Sequence, residues 1–393
     1  MIRQVFAITA VNLKSIPERW ASSLVIIIGL AGVVAVFSAL LAMAAGFQST
    51  LAATGSKDSA IILRGGSSSA ELNSALLRDD ATLIKLAPGI RKGADGKPLA
   101  SAELIVITEL LKKGDTQNGM NVTLRGVESD AFTLRPHLHI VEGRMFTPGL
   151  RELLVGRGVT RQFDGAQIGK VIRMRGSEWT VVGIFESGDA HDSELWADAG
   201  TTQTTFGRQG FSSVLVGLEN PGSIAKLKAA LKADPRLNVD VQTEQDFFSA
   251  QTKQFRATIG VLTGVVTFIM ALGAIFAALN TMYAAVAARS REIATLRAIG
   301  FGGFAVLVSV MVEALALSLV GGVLGALIAY VLFNGLSVST LGQNFTQVVF
   351  AFKMTFGLVL SGLIIAVVIG FLGGLLPAIR AARMQVTDAL RAA

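Results

Sequence analysis

The chain has 393 residues, 51% of them hydrophobic, with no cysteine and a formal net charge of +7. The lack of cysteine excludes disulfides, thiolate metal sites and thiol catalysis, and is compatible with a periplasmic domain that needs no redox help. The basic excess lies beside long apolar runs rather than on a polar domain, which excludes reading it as a nucleic-acid-binding surface.

Met1 to Lys14 carries Ile2, Val5, Phe6, Ile8, Val11 and Leu13 interrupted by Arg3, Gln4, Asn12 and Lys14. This pattern suits an amphipathic helix at the inner membrane surface, closed by Pro17, so residues 1–21 form an N-terminal cytoplasmic segment. Four apolar segments follow at residues 22–46, 256–288, 306–333 and 354–376. Each exceeds the roughly 20 residues a transmembrane helix needs. Ala42-Met43-Ala44 has the small residues of a signal-peptide cleavage site. The apolar core ahead of it, 24–41, is longer than the usual span of about 7–15 residues, so the first helix is expected to stay as an anchor.

Residues 47–255 contain 24 basic and 24 acidic side chains and are neutral. The rest of the chain holds eleven basic and four acidic residues, nine of the eleven in three short segments. These are Arg3, Lys14 and Arg19; Arg289, Arg291 and Arg297; and Arg380, Arg383 and Arg391. Basic residues in short flanks mark the cytoplasmic side. Four spans with both termini inside place all three basic segments, including the connector 289–305 and the tail 377–393, in the cytoplasm. Residues 47–255 and the loop 334–353 then lie outside.

The extracytoplasmic region reads as short strands at 60–64, 102–107, 121–125, 139–141, 170–175 and 179–185, rich in Val, Ile, Leu and Thr between turn residues. Strand 213–218, helix 223–232 and strand 238–242 suggest a split βαβ unit. The expected architecture is an α-helical membrane protein with four transmembrane helices and an α+β extracytoplasmic domain. That domain is a split βαβ porter-like lobe with an all-β insertion between Arg135 and Asp192. Thr243-Glu244-Gln245-Asp246 is a cap-like helix start. From Glu244 to Ala288 there are 45 residues without proline, about 67 Å of helix against a hydrocarbon core of about 30 Å, so the second span should project as a stalk. Gly260 and Gly264, Gly321 and Gly325, and Gly370 and Gly374 stand four apart, a spacing that lets helix backbones approach in lipid.

No phosphate-binding loop is present, because the Gly93–Pro98 and Gly165–Val171 stretches lack its spacing and its Ser or Thr. His137 and His139 are two apart, as two ligands on one strand face would be. With no third ligand close in sequence they read as solvent-facing loop histidines. Glu186, Asp189, His191, Asp192 and Glu194 form an acidic cluster that matches no calcium-loop spacing and reads as a solvated loop. No catalytic residues, cofactor-binding residues or metal ligands are expected.

The connector reads Arg289-Ser290-Arg291-Glu292-Ile293-Ala294-Thr295-Leu296-Arg297-Ala298-Ile299-Gly300-Phe301. Ile293, Leu296 and Ile299 are spaced as an apolar stripe on a short helix, and Gly300 is placed as its stop. Such a stripe must bury itself against the membrane or another protein. Glu313, about ten residues into the third apolar run, is a charge of the kind that is functional by default within a span. It either links the connector to the membrane helices, as pairing with an arginine of that segment would do, or reaches the cytoplasmic interface.

These residues carry a resemblance. The stretch from Arg291-Glu292-Ile293 through Leu296-Arg297-Ala298-Ile299-Gly300 resembles the cytoplasmic coupling segment of the MacB/FtsX-like ABC transporter permeases, the type VII family. The likeness continues through Val312-Glu313-Ala314-Leu315, Gly321-Gly322-Val323-Leu324-Gly325 and Pro377-Ala378-Ile379-Arg380-Ala381-Ala382-Arg383, with the tail Val386-Thr387-Asp388-Ala389-Leu390-Arg391. Asn280 and Met282 fit the second span of that family. Val141-Glu142-Gly143-Arg144, Leu154-Val155-Gly156-Arg157-Gly158 and Trp179-Thr180-Val181-Val182-Gly183 are similar to its periplasmic core domain.

The resemblance implies a non-catalytic, multi-pass inner-membrane permease that pairs with itself or a paralogous permease. It further implies an ABC ATPase subunit beneath, which would bind the Mg-ATP. Some members carry that ATPase in the same chain. Here nothing precedes Met1, so a separate polypeptide is expected to supply it. In this reading Arg291, Glu292, Ile293, Leu296, Arg297, Ala298, Ile299 and Gly300 couple to the ATPase, and Glu313 and Asn280 act within the membrane. A periplasmic adaptor and an outer-membrane channel are further candidate partners, and nucleic acid is not one. The implied activity is mechanotransmission: ATP-driven closure inside moves periplasmic domains outside, for export or extraction of a substrate. The alternative is an FtsX-like regulatory scaffold that activates a periplasmic cell-wall hydrolase.

Overall fold

The computed structural model describes residues 5–6, 8–10, 20–67, 70–115, 119–341 and 347–384. Most of the Met1–Lys14 segment, Pro17 and the tail 386–391 lie outside the described residues. In chain order the elements are α1 (Trp20–Ala53), β1 (Ser59–Arg64), α2 (Arg78–Lys85), β2 (Ala100–Leu111), β3 (Gly119–Val127), α3 (Ala131–Leu134), β4 (His139–Gly143), β5 (Glu152–Gly156), α4 (Arg157–Gln162), β6 (Val171–Met174) and β7 (Ser177–Glu186). There follow β8 (Glu194–Asp198), α5 (Ala199–Phe206), β9 (Ser213–Gly217), α6 (Ser223–Ala233), β10 (Val239–Thr243), α7 (Glu244–Ala288), α8 (Ser290–Ala298), α9 (Gly303–Phe333), β11 (Ser337–Leu341), β12 (Gln347–Ala351) and α10 (Phe356–Arg383). The chain divides into two units, one of Met1–Gly46, Ala257–Leu336 and Phe352–Ala393, the other of Phe47–Arg256 and Ser337–Ala351.

The first unit is a helical bundle. Its four long helices, α1, α7, α9 and α10, are each long and apolar enough to cross a membrane. Small residues set how closely they pack. A Cβ on Gly321 would strike the Ile27 carbonyl and Leu30, and one on Gly325 would strike Ala31 and Val34. Gly370 and Gly374 are covered in the same way by Ser318 and Ala314. Lipid tails are as apolar as leucine, so close backbone approach rather than hydrophobic exclusion holds such helices together. Gly260 and Gly264 differ: among the described residues nothing lies within 4 Å of a Cβ built on either. They sit on a face of α7 that also exposes Val261, Val265, Phe268 and Phe276. Helix α10 runs on through Pro377, which is buried. A membrane helix tolerates the lost N–H because neighbouring helices and local adjustment satisfy the freed carbonyl.

The second unit is a mixed sheet in the order β10-β1-β9-β2-β3-β8-β5-β7-β4, with β6 on β7. Strands β9 and β10 flank β1, each antiparallel to it, and α6 links them, so β9-α6-β10 is a split βαβ unit. Ile62, Val214, Val216, Leu227 and Leu231 close one core over this end of the sheet. Val122, Leu124, Leu153, Val155, Phe163 and Trp179 close a second at the other end. Between Arg135 and Asp192 the chain is strand-rich, with β4 to β7, and it also carries the six-residue helix α4. These strands continue the same sheet through β8, which is antiparallel to β5 and parallel to β3. Residues 334–353, expected as a short loop, contain the antiparallel hairpin β11–β12, whose Phe350 is buried against Phe47 with ring centroids 5.5 Å apart.

Candidate functional site

Helix α7 ends at Ala288 and α8 begins two residues later. The turn is tight because the Arg289 carbonyl already accepts from Ile293 N. At the other end Gly300 adopts φ +102°, a left-handed conformation that a side chain disfavours, and Phe301 N bonds back to the Leu296 carbonyl. The connector is therefore a short helix held between two reversals.

Its residues divide by face. Ile293 and Ala294 are buried in the helical bundle, where Ile293 joins Met282, Val286, Val306 and Val310, and Leu296 packs partly against the same cluster. Ile299 points the other way and is 72% exposed. The three-residue stripe is thus split: two of its members bind the helix to its own chain. The outward face consists of Arg291, Glu292, Thr295, Ala298, Ile299 and Gly300.

Beneath the connector lies a buried ion pair. Arg289 Nη1 is 3.4 Å from Glu313 Oε2, with Arg289 8% and Glu313 4% exposed, and Arg289 Nε is 3.7 Å from Glu292. A charge without its partner in so apolar a setting would cost several kcal/mol, on the order of 3–5, which makes this pair a strong constraint on where α8 sits. The pair opens onto a cavity of about 220 Å³ whose walls include Met282, Val286, Ile293 and Val310. One further contact fixes the connector, and another joins α10 to α7. The Arg297 guanidinium donates to the Met384 carbonyl beyond α10. Arg380 of α10 lies over the Tyr283 ring of α7 at 5.5 Å. Asn280 lies on an exposed face of α7. None of these groups forms a nucleophile–base pair; the arrangement presents a surface and anchors it.

At the other end of α7, Glu244 is held by Ser59 Oγ at 2.7 Å, by Ser56 N at 3.3 Å and by Arg135 Nε at 3.4 Å. Thr243 Oγ1 accepts from Asp246 N and caps the helix. Gly55, at φ +83°, is the residue that allows the chain to pass, since a Cβ there would lie 2.8 Å from Glu244. Behind Glu244 runs a chain of buried ion pairs: Arg135 to Glu103, Glu103 to Arg125, and Arg125 to both Glu71 and Glu194. Burial pushes the Glu103 carboxyl up, but Arg135 and then Arg125 outweigh it and hold the carboxyl down at about 2. Burial likewise opposes charge on Arg125, which its three carboxylates overcome, raising it well above the ordinary value. Sequence reading missed this network. Its signal was the presence of Glu103 and Arg125 inside otherwise apolar strands.

The histidines do not fall as expected. His137 precedes β4, and its Nε2 lies 2.9 Å from Asp189 Oδ2, while His191 Nδ1 lies 3.0 Å from Asp189 Oδ1. His139 instead contacts the His137 carbonyl. The acidic stretch 186–194 is not one solvated cluster: Glu186 pairs with Arg157, Glu194 with Arg125, and Asp189 and Asp192 tie down their own loop.

Residues 21–234 match the MacB-like periplasmic core domain, and residues 264–386 match the FtsX-like permease C-terminal domain. The macrolide export ATP-binding/permease protein MacB of Hahella chejuensis is 28% identical over 297 residues, 69% of this chain and 43% of that protein. The uncharacterized ABC transporter permease YknZ of Bacillus subtilis is 24% identical over 305 residues, 72% of this chain and 73% of that one. The chain therefore spans less than half of that MacB relative's length and about three quarters of the Bacillus permease. Among solved structures, the periplasmic region of MacB from Actinobacillus actinomycetemcomitans aligns over 53% of this chain and 94% of its own, at 13% identity and a TM-score of 0.37. The extracellular domain of YknZ aligns over 47% of this chain and 100% of its own, at 18% identity and a TM-score of 0.36.

Proposed function

This chain belongs to the family of ABC transporter permeases that join a MacB-like periplasmic core domain to an FtsX-like permease domain, and from that premise we propose that it is the non-catalytic permease subunit of a mechanotransmitting transporter. A separate ABC ATPase binds Mg-ATP and docks on the connector. Its closing movement passes along α7 to the sheet domain, and the work drives export or extraction of a substrate from the periplasm or inner membrane. The connector and both termini face the cytoplasm, and the protein works in the inner membrane as a homodimer or beside a paralogous permease. A periplasmic adaptor and an outer-membrane channel would extend the export path.

The observation that carries this reading is the division of α8 into an anchored face and a free one. Ile293, Leu296 and the Arg289–Glu313 pair hold the helix to α7 and α9, so a force on its outer face acts on both helices. Arg291, Ala298 and Ile299 are left to meet a partner. Leu296→Asp would damage the bundle as well as any docking. Ile299 is the cleaner probe, because a charge there is solvated until a partner covers it. Ile299→Asp is expected to leave folding and melting temperature unchanged. It should weaken co-purification of the ATPase by about 10-fold or more, the range for a central contact residue. Undiminished recovery of the ATPase with Ile299→Asp and with Arg291→Glu would overturn the docking assignment.

A further inference from the structure

We propose that His137, Asp189 and His191 form a binding site for a divalent transition-metal ion of the zinc class. One ligand atom from each residue lies within 4.8 Å of the other two. Asp189 already meets His137 Nε2 at 2.9 Å and His191 Nδ1 at 3.0 Å. A tetrahedral ion with ligand bonds of about 2.0–2.2 Å holds its ligand atoms roughly 3.4 Å apart, inside the 4.8 Å within which the three ligand atoms already lie, so insertion calls for side-chain adjustment around the Asp189 carboxylate. Two imidazole nitrogens and one carboxylate oxygen suit zinc, cobalt, nickel or copper, whereas calcium and magnesium prefer sites built wholly of oxygen. Three protein ligands leave a fourth position for water.

The site is built in advance of any ion. Ser187 Oγ and His191 N both donate to Asp189 Oδ1, at 2.6 and 2.9 Å, and Ser187 N and Gly188 N bond to Asp192. These contacts hold the loop and orient the carboxylate, the supporting role that fixes a ligand before metal arrives. The His191 ring is fixed edge-to-face against Trp196 and Phe248, at 88° and 76°. Its Nδ1 is the ring nitrogen turned to Asp189. His137 is 40% exposed, which leaves its side of the site open to solvent.

The position gives the ion something to control. Within the same unit, Ala190 N bonds to Thr54 Oγ1 just after α1, Val349 N in β12 bonds to Ser193 Oγ, and Phe248 of α7 packs on His191. The ion would clamp the loop on which the segments following α1, opening α7, and between α9 and α10 converge.

The test uses the full-length protein in detergent, without a polyhistidine tag and stripped of metal, titrated with zinc chloride by calorimetry. One zinc per chain with micromolar or tighter affinity is expected, with a rise in melting temperature and, with cobalt(II), the visible absorption of a tetrahedral site. His137→Ala removes the accessible ligand and should weaken zinc binding by about 10–100-fold without lowering the stability of the metal-free protein. His139→Ala should leave it unchanged, and Asp189→Asn should weaken zinc binding as well, with a loss of loop stability of its own. Failure of the native protein to bind zinc below 0.1 mM (an affinity on the order of 5 kcal/mol) would overturn the proposal, as would binding that survives His137→Ala.

Discussion

Glu103 lies between two guanidinium groups, with Arg135 Nη1 at 2.7 Å and Arg125 Nη1 at 2.8 Å. Its folded carboxyl titrates at about 2, below the ordinary 4.5. A carboxyl depressed by folding contributes stability that is complete above the unfolded value and is lost as pH falls through the folded one. The sheet domain should therefore lose stability between pH 4.5 and 2, and the buried Trp179 and Trp196 would report it by fluorescence during denaturant titration. Glu103→Gln should flatten that acid slope by about one proton. At pH 7 it should cost about 3–5 kcal/mol, because Arg125 and Arg135 then share an incomplete set of carboxylates. An unchanged slope in Glu103→Gln would show that other carboxylates govern the acid limb. This network was partly legible. A glutamate between Ala102 and Leu104 and an arginine between Leu124 and Gly126 stand at strand positions that call for apolar side chains. The partners were not legible, since the sheet order that sets β2 beside β3 and β3 beside β8 depends on pairings up to about 70 residues apart. Glu313 was easier, because a charge inside an apolar run announces itself.

Helices and strands were legible where one periodicity decided them. The 45-residue α7 could be read because proline is absent, Thr243 marks its start and its apolar content is continuous. β5 and β8 were harder: each is five residues running straight into a helix, too short for alternation to separate from background. Helix α5 had signals at both ends, Asp198 accepting from Thr201 N and Gly207 at φ +65°, but Gly, Thr and Gln within it gave a weak pattern. The glycine pairs show how far spacing alone reaches. All three have the same spacing, yet only two meet a neighbour among the described residues. Gly325→Leu would force α9 away from the Ala31 carbonyl. It should destabilise the protein by roughly 1–3 kcal/mol or more, the range for overpacking. Gly260→Leu, with open space around it, should leave the melting temperature of the detergent-solubilised monomer unchanged. Equal melting temperatures for the two variants would show that α1 and α9 do not pack through these glycines.

Across the whole molecule, the division into a helical bundle and a sheet domain follows from how charge and hydropathy are distributed. Apolar stretches long enough to span a bilayer cannot also supply the short alternating strands of a sheet, and residues 47–255, with equal numbers of acids and bases, need no compensating surface. The β11–β12 hairpin escaped this reading because the Ser, Thr and Gln between its apolar residues resemble an ordinary loop; only burial of Phe350 beside Phe47 shows where it belongs. The same charge sorting makes a topological prediction that the absence of cysteine leaves clean to test. Arg289, Arg291 and Arg297 should hold the connector on the side where positive flanks are retained, whereas Asp95 sits in an exposed turn of the neutral stretch 47–255. In spheroplasts, a membrane-impermeant maleimide should label Asp95→Cys at once and Thr295→Cys only after lysis, both residues being exposed on their own elements. Labelling of Thr295→Cys in intact spheroplasts would invert the topology. The connector would then face away from any ATP-binding partner, and the docking face of α8 would have nothing to receive.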